Sequence, residues 1–209
     1  METPNHIRLQ EKILDVFKDT EVLYQEEDMI LKTIIPDEIW DEVIVMKTEC
    51  DLIRNQKYSF LFEHLNAGEN DYQMSVPKSS FEKSFIFPFL IHMGQYYLYK
   101  HSGISILKSS RCVFMKTNDY HFDGFDFWIN YATKGSKNPL HAHKGSLSGV
   151  IYYQNTEQVP TRFNGGIEIF GKPKEIVMFP SQLNHEVDEV KHGERITFAY
   201  NLGVSSVEE

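Results

Sequence analysis

Three histidines in the second half of the chain have the types and spacing of a metal site. His141 and His143 flank a single alanine, and His185 lies well downstream. Side chains of a β-strand alternate faces with period two, so ligands at i and i+2 share a face. The chain around them is a series of short apolar runs broken by Gly and Pro, the pattern of a small β-barrel or sandwich. A third imidazole from a strand across such a barrel completes one face of a coordination sphere and leaves the opposite positions open. Imidazole suits Fe, Zn, Ni and Cu alike, so these side chains do not choose the metal. Two histidines alone are more readily ordinary residues on a strand edge. Arg195 and Thr197, on the strand expected after His185, add to the signal. A guanidinium fork pairs with a carboxylate in a bidentate, charge-assisted contact that strengthens when water is excluded. The plainer alternative for Arg195 is a surface position.

The elements that must position these groups fall into two halves. From Ile104 onward the apolar period is two, and strands are expected near 104–117, 125–132, 138–143, 147–154, 166–170, 175–180, 184–189 and 195–202. Residues 118–126 and 155–164 are the expected loops at the mouth, and Gly165-Gly166 is a tight turn. The first half is mostly helical. A rough apolar stripe runs over 7–18, a strand over 29–35, and a helix from Pro36-Asp37 to about Asn55. That helix turns Ile39, Trp40, Val43, Ile44 and Met46 inward. A second helix is expected from Phe81 to about Lys100, capped by Ser79 or Ser80 and kinked or divided at Pro88. Residues 59–78 are loop-like in part. The whole chain, 1–209, is expected to form one domain, with a helical layer over 1–103 packed on a β core over 104–203. No repeat or flexible linker divides it.

Composition narrows the partners. The chain is 41% apolar and 13% aromatic, which supports a packed core rather than disorder. A net charge of −9 argues against nucleic acid or an anionic membrane as the main partner. Cys50 and Cys112 sit in no CxxC motif and are expected to be reduced thiols. No basic-then-apolar leader opens the sequence, and the apolar run from Phe85 to Met93 is too short to span a bilayer. A cytoplasmic protein is expected, with a homodimer the default from base rates.

A closer likeness lies in the order of fragments. Tyr131-Ala132-Thr133-Lys134-Gly135, His141-Ala142-His143, Ile151-Tyr152-Tyr153-Gln154-Asn155, Gly165-Gly166-Ile167-Glu168-Ile169-Phe170, Phe179-Pro180-Ser181, His185-Glu186-Val187 and Arg195 follow one another. This series resembles the Fe(II)/2-oxoglutarate dioxygenase superfamily, in its prolyl-hydroxylase-like branch. Phe127-Trp128-Ile129-Asn130, Leu147 to Tyr153 and Phe179 to His185 further resemble a group of such oxygenases common in bacteria and marine bacteriophages. The likeness covers about residues 105–203 well and the first hundred loosely.

The resemblance implies a mainly β fold with N-terminal helices, an α+β chain built on a double-stranded β-helix (a jelly roll, cupin-like). It implies an Fe(II)- and 2-oxoglutarate-dependent dioxygenase that consumes O2 and hydroxylates an unactivated C–H of an amino acid, a peptidyl residue or a small metabolite. His141, His143 and His185 would hold iron. Arg195 and Thr197 would match the family's Arg-x-Ser/Thr element, which binds the distal carboxylate of 2-oxoglutarate. Tyr131 and Tyr153 match tyrosines that line the co-substrate pocket, although core aromatics are an equal reading. Asn130, on the opposite face of its strand from Tyr131, is a further pocket residue. His143 departs from the family, where Asp or Glu is usual. Three neutral imidazoles leave the site one negative charge short, which weakens iron binding. The nearest replacement carboxylates in sequence are Glu168 and Asp188. Two other readings stand beside this one: a three-histidine dioxygenase without 2-oxoglutarate, and a non-catalytic jelly-roll binding module.

Overall fold

The computed structural model describes residues 15, 17–25, 28–55, 72–81, 83–102 and 120–206. Most of the stripe over 7–18, the loop-like stretch 59–71, the strand expected over 104–117 and Cys112 lie outside them. The described chain is mainly β, with helices from its first half and every strand pair antiparallel.

Eleven strands are described: β1 (Glu21–Gln25), β2 (Asp28–Ile34), β3 (Tyr72–Ser75), β4 (Tyr120–Ala132), β5 (Asn138–His141), β6 (Leu147–Asn155), β7 (Thr161–Phe163), β8 (Glu168–Ile169), β9 (Glu175–Pro180), β10 (His185–Val187) and β11 (Arg195–Ser206). Seven form one sheet in the order β1-β2-β9-β6-β11-β4-β3, and four form a second in the order β5-β10-β7-β8. The helices are α1 (Asp37–Asn55), α2 (Lys78–Phe81) and α3 (Ile86–Ser102).

Alternation in the strands sends successive side chains to two different cores. Ile176 and Met178 of β9 join Ile151, Phe198 and Ile129 in a large cluster against α1 and α3. Val177 and Phe179 of the same strand join Tyr152, Phe163, Ile169 and Leu183 in a smaller cluster. The seven-stranded sheet therefore carries helices on one face and the smaller apolar cluster on the other.

Helix α1 begins where expected. The Pro36 carbonyl accepts from the N–H groups of Ile39 and Trp40, and Asp37 and Glu38 occupy the positive first turn. Its buried stripe is Ile39, Val43, Met46 and Cys50, with Trp40 beside it. Burying four such apolar side chains contributes roughly 6–12 kcal/mol, far more than helix propensity alone could decide. Ile44 was expected inward but is 39% exposed, because it sits one residue off that stripe.

Helix α3 starts at Ile86, not at the expected Phe81; a separate short α2 and a turn precede it. Pro88 therefore lies in the first turn, where no N–H is needed, and does not break the helix. The Glu42 carboxylate of α1 accepts from the Phe85 N–H at 2.6 Å and so caps this start. Burial holds the Glu42 carboxyl above its ordinary range, opposed by the N–H groups of Phe85 and Ile86.

Two expected loops contain strand. Residues 120–126 extend β4, which continues beside β11 through a register shift near Gly203. Residues 161–163 form β7, which pairs with β10. Asp126 is thus a strand residue rather than a loop residue. No described helix is long and apolar enough to cross a membrane.

Candidate metal centre

His141 closes β5 and His185 opens β10, and the two are directly paired across the small sheet. They are neighbours in one sheet, not residues from opposite walls as expected. His143 lies beyond the end of β5, in the connection to β6. Its backbone, not strand alternation, places it: the His143 N–H donates to the Ser181 carbonyl at 2.8 Å, and its own carbonyl accepts from Gln182 Nε2 at 3.2 Å.

The three rings converge. Their centroids are 4.3 Å apart for His141–His185, 4.9 Å for His141–His143 and 5.1 Å for His143–His185. One ring nitrogen from each lies within 4.8 Å of the others. Two metal–nitrogen bonds of about 2.1 Å span at most about 4.2 Å, so a shared ion needs only a small inward turn of the rings. The tautomers suit this. His141 Nδ1 donates to the Pro139 carbonyl at 2.7 Å, and His185 Nδ1 donates to the Leu183 carbonyl at 3.0 Å. Both Nε2 atoms then carry the lone pair that a metal takes. Asn138 Nδ2 donates to His141 Nε2 at 3.3 Å.

Burial disfavours the charged form of two of the imidazoles. It pulls His143 down to about 4, helped by His141, and His185 down to about 3. Phe163 and Phe179 pack against the His185 ring and dry that side. The two carboxylates considered as substitute ligands are engaged elsewhere: Glu168 and Asp188 both pair with Arg162, at 2.8 and 2.9 Å.

Arg195, from the seven-stranded sheet, lines the same cavity as the histidines of the four-stranded sheet. That cavity is about 1110 Å³. Arg195 is 6% exposed, and burial pulls its guanidinium below its ordinary value, though an arginine stays charged. Nη2 donates to Thr161 Oγ1 at 3.0 Å, while Nε has no hydrogen-bond partner. Among the described residues no carboxylate pairs with it. Thr197 and Asn130 also line the cavity; they face each other across β11 and β4, with Asn130 Nδ2 donating to Thr197 Oγ1 at 3.4 Å.

Two expected pocket residues do not reach the cavity. Tyr131 lies on the helix-facing side of β4, where its hydroxyl donates to Asp51 at 2.8 Å and Arg54 sits over its ring. Tyr153 stacks on Trp40 of α1 at 5.4 Å. The physical reason is parity: Thr197 and Asn130 face one way, so Tyr131, paired with Ile196, must face the other. The β6 register shifts beside Tyr153, and Tyr152 rather than Tyr153 meets the arginine.

Tyr152 and Thr161 are the residues that the sequence missed. The Arg195 guanidinium lies 5.6 Å from the Tyr152 ring centroid, and the Tyr152 and Thr161 hydroxyls are 2.8 Å apart. Gly171 makes room for this ring, since a Cβ there would come within 2.1 Å of it. The run Val150-Ile151-Tyr152-Tyr153 is apolar on both faces, so no alternation distinguishes the two tyrosines. For Thr161, the inward-outward-inward pattern of Thr161-Arg162-Phe163 was a signal, but a three-residue one.

Solved structures share this fold. A prolyl-4-hydroxylase from Pseudomonas putida is 15% identical at a TM-score of 0.52, with 93% of this chain and 98% of that one covered. A prolyl 4-hydroxylase from Phytophthora capsici is 14% identical at a TM-score of 0.55, covering 97% of this chain and 66% of that one. At such identities the likeness is one of fold. No protein-family model matches the sequence, and no curated protein matches it.

Proposed function

We propose that the chain is an Fe(II)- and 2-oxoglutarate-dependent dioxygenase that hydroxylates an unactivated C–H bond of an amino acid, a peptidyl residue or a small metabolite. Its two sheets would be the halves of a double-stranded β-helix. The observation that carries the reading is Arg195: a buried guanidinium, its Nε unpartnered, in the same cavity as three converging imidazoles.

Charge explains why that pairing matters. A buried cation without a counter-ion costs several kcal/mol, so a site that keeps one is built for an anion. A divalent metal on three neutral imidazoles retains its full 2+ charge, and Arg195 adds one more. A dicarboxylate fits such a site better than a neutral ligand or a monoanion does. A three-histidine dioxygenase that uses no 2-oxoglutarate would leave Arg195 without a carboxylate partner, and a non-catalytic binding module is separated by metal analysis.

The donor set fits iron, although imidazole does not exclude its neighbours in the series. Iron and 2-oxoglutarate, when bound, together reduce O2 with loss of CO2 and supply the oxidant for the C–H bond. The chain's own part is to bind, orient and dry. His141, His143 and His185 would hold the metal, with the Pro139 and Leu183 carbonyls fixing two tautomers. Arg195 would take the distal carboxylate, steered by Thr161 and by the Tyr152 ring behind it. Thr197 and Asn130 would line the path between.

The test is O2-dependent succinate release from 2-oxoglutarate by the Fe(II)-loaded protein. His185→Ala should lose the bound iron, measured by metal analysis, and turnover with it. O2 consumption indifferent to 2-oxoglutarate would reject the co-substrate; a purified protein that retains no metal would reject the enzyme.

A further inference from the structure

Strand β4 sets out the chemistry of the cavity in order. Residues two apart on one face are about 6.6 Å apart, so each pair with β11 forms a rung. The first rung is Ala132 with Arg195 and the second is Asn130 with Thr197. The third is Trp128 with Ala199, and here the Trp128 ring lies 5.9 Å from His143. The fourth is Asp126 with Asn201. The metal-binding histidine thus stands at the third rung, with a cation on one side and a carboxylate on the other.

Both Asp126 and Asn201 line the cavity. Asp126 is exposed to it and has no ion pair among the described residues. Lys78, the other charged side chain on this part of the wall, already has an interaction of its own. Aromatic rings border this end: Trp128 on the face of Asp126, and Phe125 from the helix-side core one residue along β4. Phe81 stacks on Phe125 at 4.4 Å, and Phe87 meets Phe125 edge-on at 5.3 Å; all three line the same cavity.

From this layout we infer that the primary substrate is an amine carried on an apolar or aromatic body, with Asp126 as the residue that selects its charge. The inference rests on the proposed reading of the site, in which the Arg195 end holds the co-substrate. That leaves the Asp126 end for the molecule to be oxidised. An ammonium beside Asp126 would lay its apolar body along Trp128 and Ala199 of the third rung, with a C–H bond near the histidines. The two ends then sort their ligands by charge: anions are repelled from the Asp126 end and cations from the Arg195 end.

The experiment measures calorimetric binding of 2-phenylethylamine and its neutral isostere 2-phenylethanol to the full chain loaded with Zn(II) and saturated with 2-oxoglutarate to fill the Arg195 end, with 3-phenylpropanoate as the anionic control. The amine is expected to bind about tenfold more tightly than the alcohol, with the carboxylate weakest. In Asp126→Asn the preference for the amine should shrink to within about twofold, and Asp126→Lys should favour the carboxylate. Equal binding of amine and alcohol, tighter binding of the carboxylate, or no binding of any of the three would overturn the inference. Because Zn(II) supports no turnover, the readout is binding alone and independent of the proposed reaction. Amine selectivity without succinate release would count against that reaction alone.

Discussion

The two faces of the seven-stranded sheet are built from the same strands and do opposite work. On the helix side, Tyr131 bonds Asp51 beneath Arg54 and Tyr153 stacks on Trp40, and the buried atoms without a hydrogen-bond partner there, Glu49 Oε2 and His92 Nε2, belong to no cation. On the other side, one residue along each strand, Arg195 is equally buried and keeps an unpartnered Nε. Burial alone does not distinguish structure from function. The distinction lies in whether the buried charge is answered from within the chain. Among the described residues, the buried cation with an orphaned N–H lies on the cavity face, where an anion would answer it.

Arg195→Met should break that contrast most sharply, because its two effects have opposite signs. Removing a buried, unanswered cation for an apolar side chain of similar length should leave the ligand-free protein as stable or more stable, by about 1–3 kcal/mol. The same change removes the anion site, so the KM for 2-oxoglutarate should rise about 100-fold or more. Thermal unfolding with and without 2-oxoglutarate checks both: the wild-type chain gains stability at saturation and the variant gains none. Arg195→Lys should not rescue, since a point charge cannot replace the fork held by Thr161. If Arg195→Met destabilised the ligand-free chain by several kcal/mol, the arginine would be structural and the two faces would be alike.

The neighbouring tyrosines sharpen the contrast on a smaller scale. Tyr152→Phe removes the hydroxyl that holds Thr161 and so loosens Arg195; it should raise the KM for 2-oxoglutarate about three- to tenfold, worth about 1 kcal/mol. Tyr153→Phe keeps its stacking on Trp40 and should leave that KM unchanged. Steady-state kinetics on the pair decides the matter. A KM effect at Tyr153 with none at Tyr152 would invert the assignment of faces.

How much of this the sequence contained follows from the same geometry. Strands β4, β6, β9 and β11 were readable because long apolar runs bounded by Gly, Pro and Asn leave few alternatives. The edge strands β1 and β3 were not, since four or five half-polar residues carry too little period. The histidines were found by type and spacing, but the reason for His143 was misread. It is held by the Ser181 carbonyl at the end of a strand, a contact between segments that no local pattern announces. Tyr131 and Tyr153 were misplaced because type can be read from one residue, whereas facing depends on register with a partner strand. Asn130 opposite Thr197 holds the correct parity and, given the β4–β11 pairing, would have excluded Tyr131.

Acid should expose the remaining, weaker difference between the faces. His92, on the helix side in α3, is pulled down to about 4 by burial, although its bond to Gln95 opposes the shift. His143 and His185 on the cavity side stand at about 4 and about 3. All three sit below the ordinary imidazole value of about 6.5, so in acid the unfolded chain binds protons that the folded chain refuses. Stability is therefore fully present above about pH 6.5 and falls with pH below it, down to about 4 for His92 and His143 and about 3 for His185. Each proton contributes at most about 1.4 kcal/mol per pH unit to that slope. Urea midpoints of the metal-free chain between pH 6.5 and 4.5 should thus decline, and His92→Gln should flatten the decline by no more than one such proton. Saturating Zn(II) should raise the midpoint at pH 7 and lose its effect toward pH 4, where protons compete for the cavity imidazoles. The contribution of His92 should be the same with and without the ion. A His92 effect that vanished on metal addition would mean that the two faces are coupled through the sheet, and the division of labour argued above would fail.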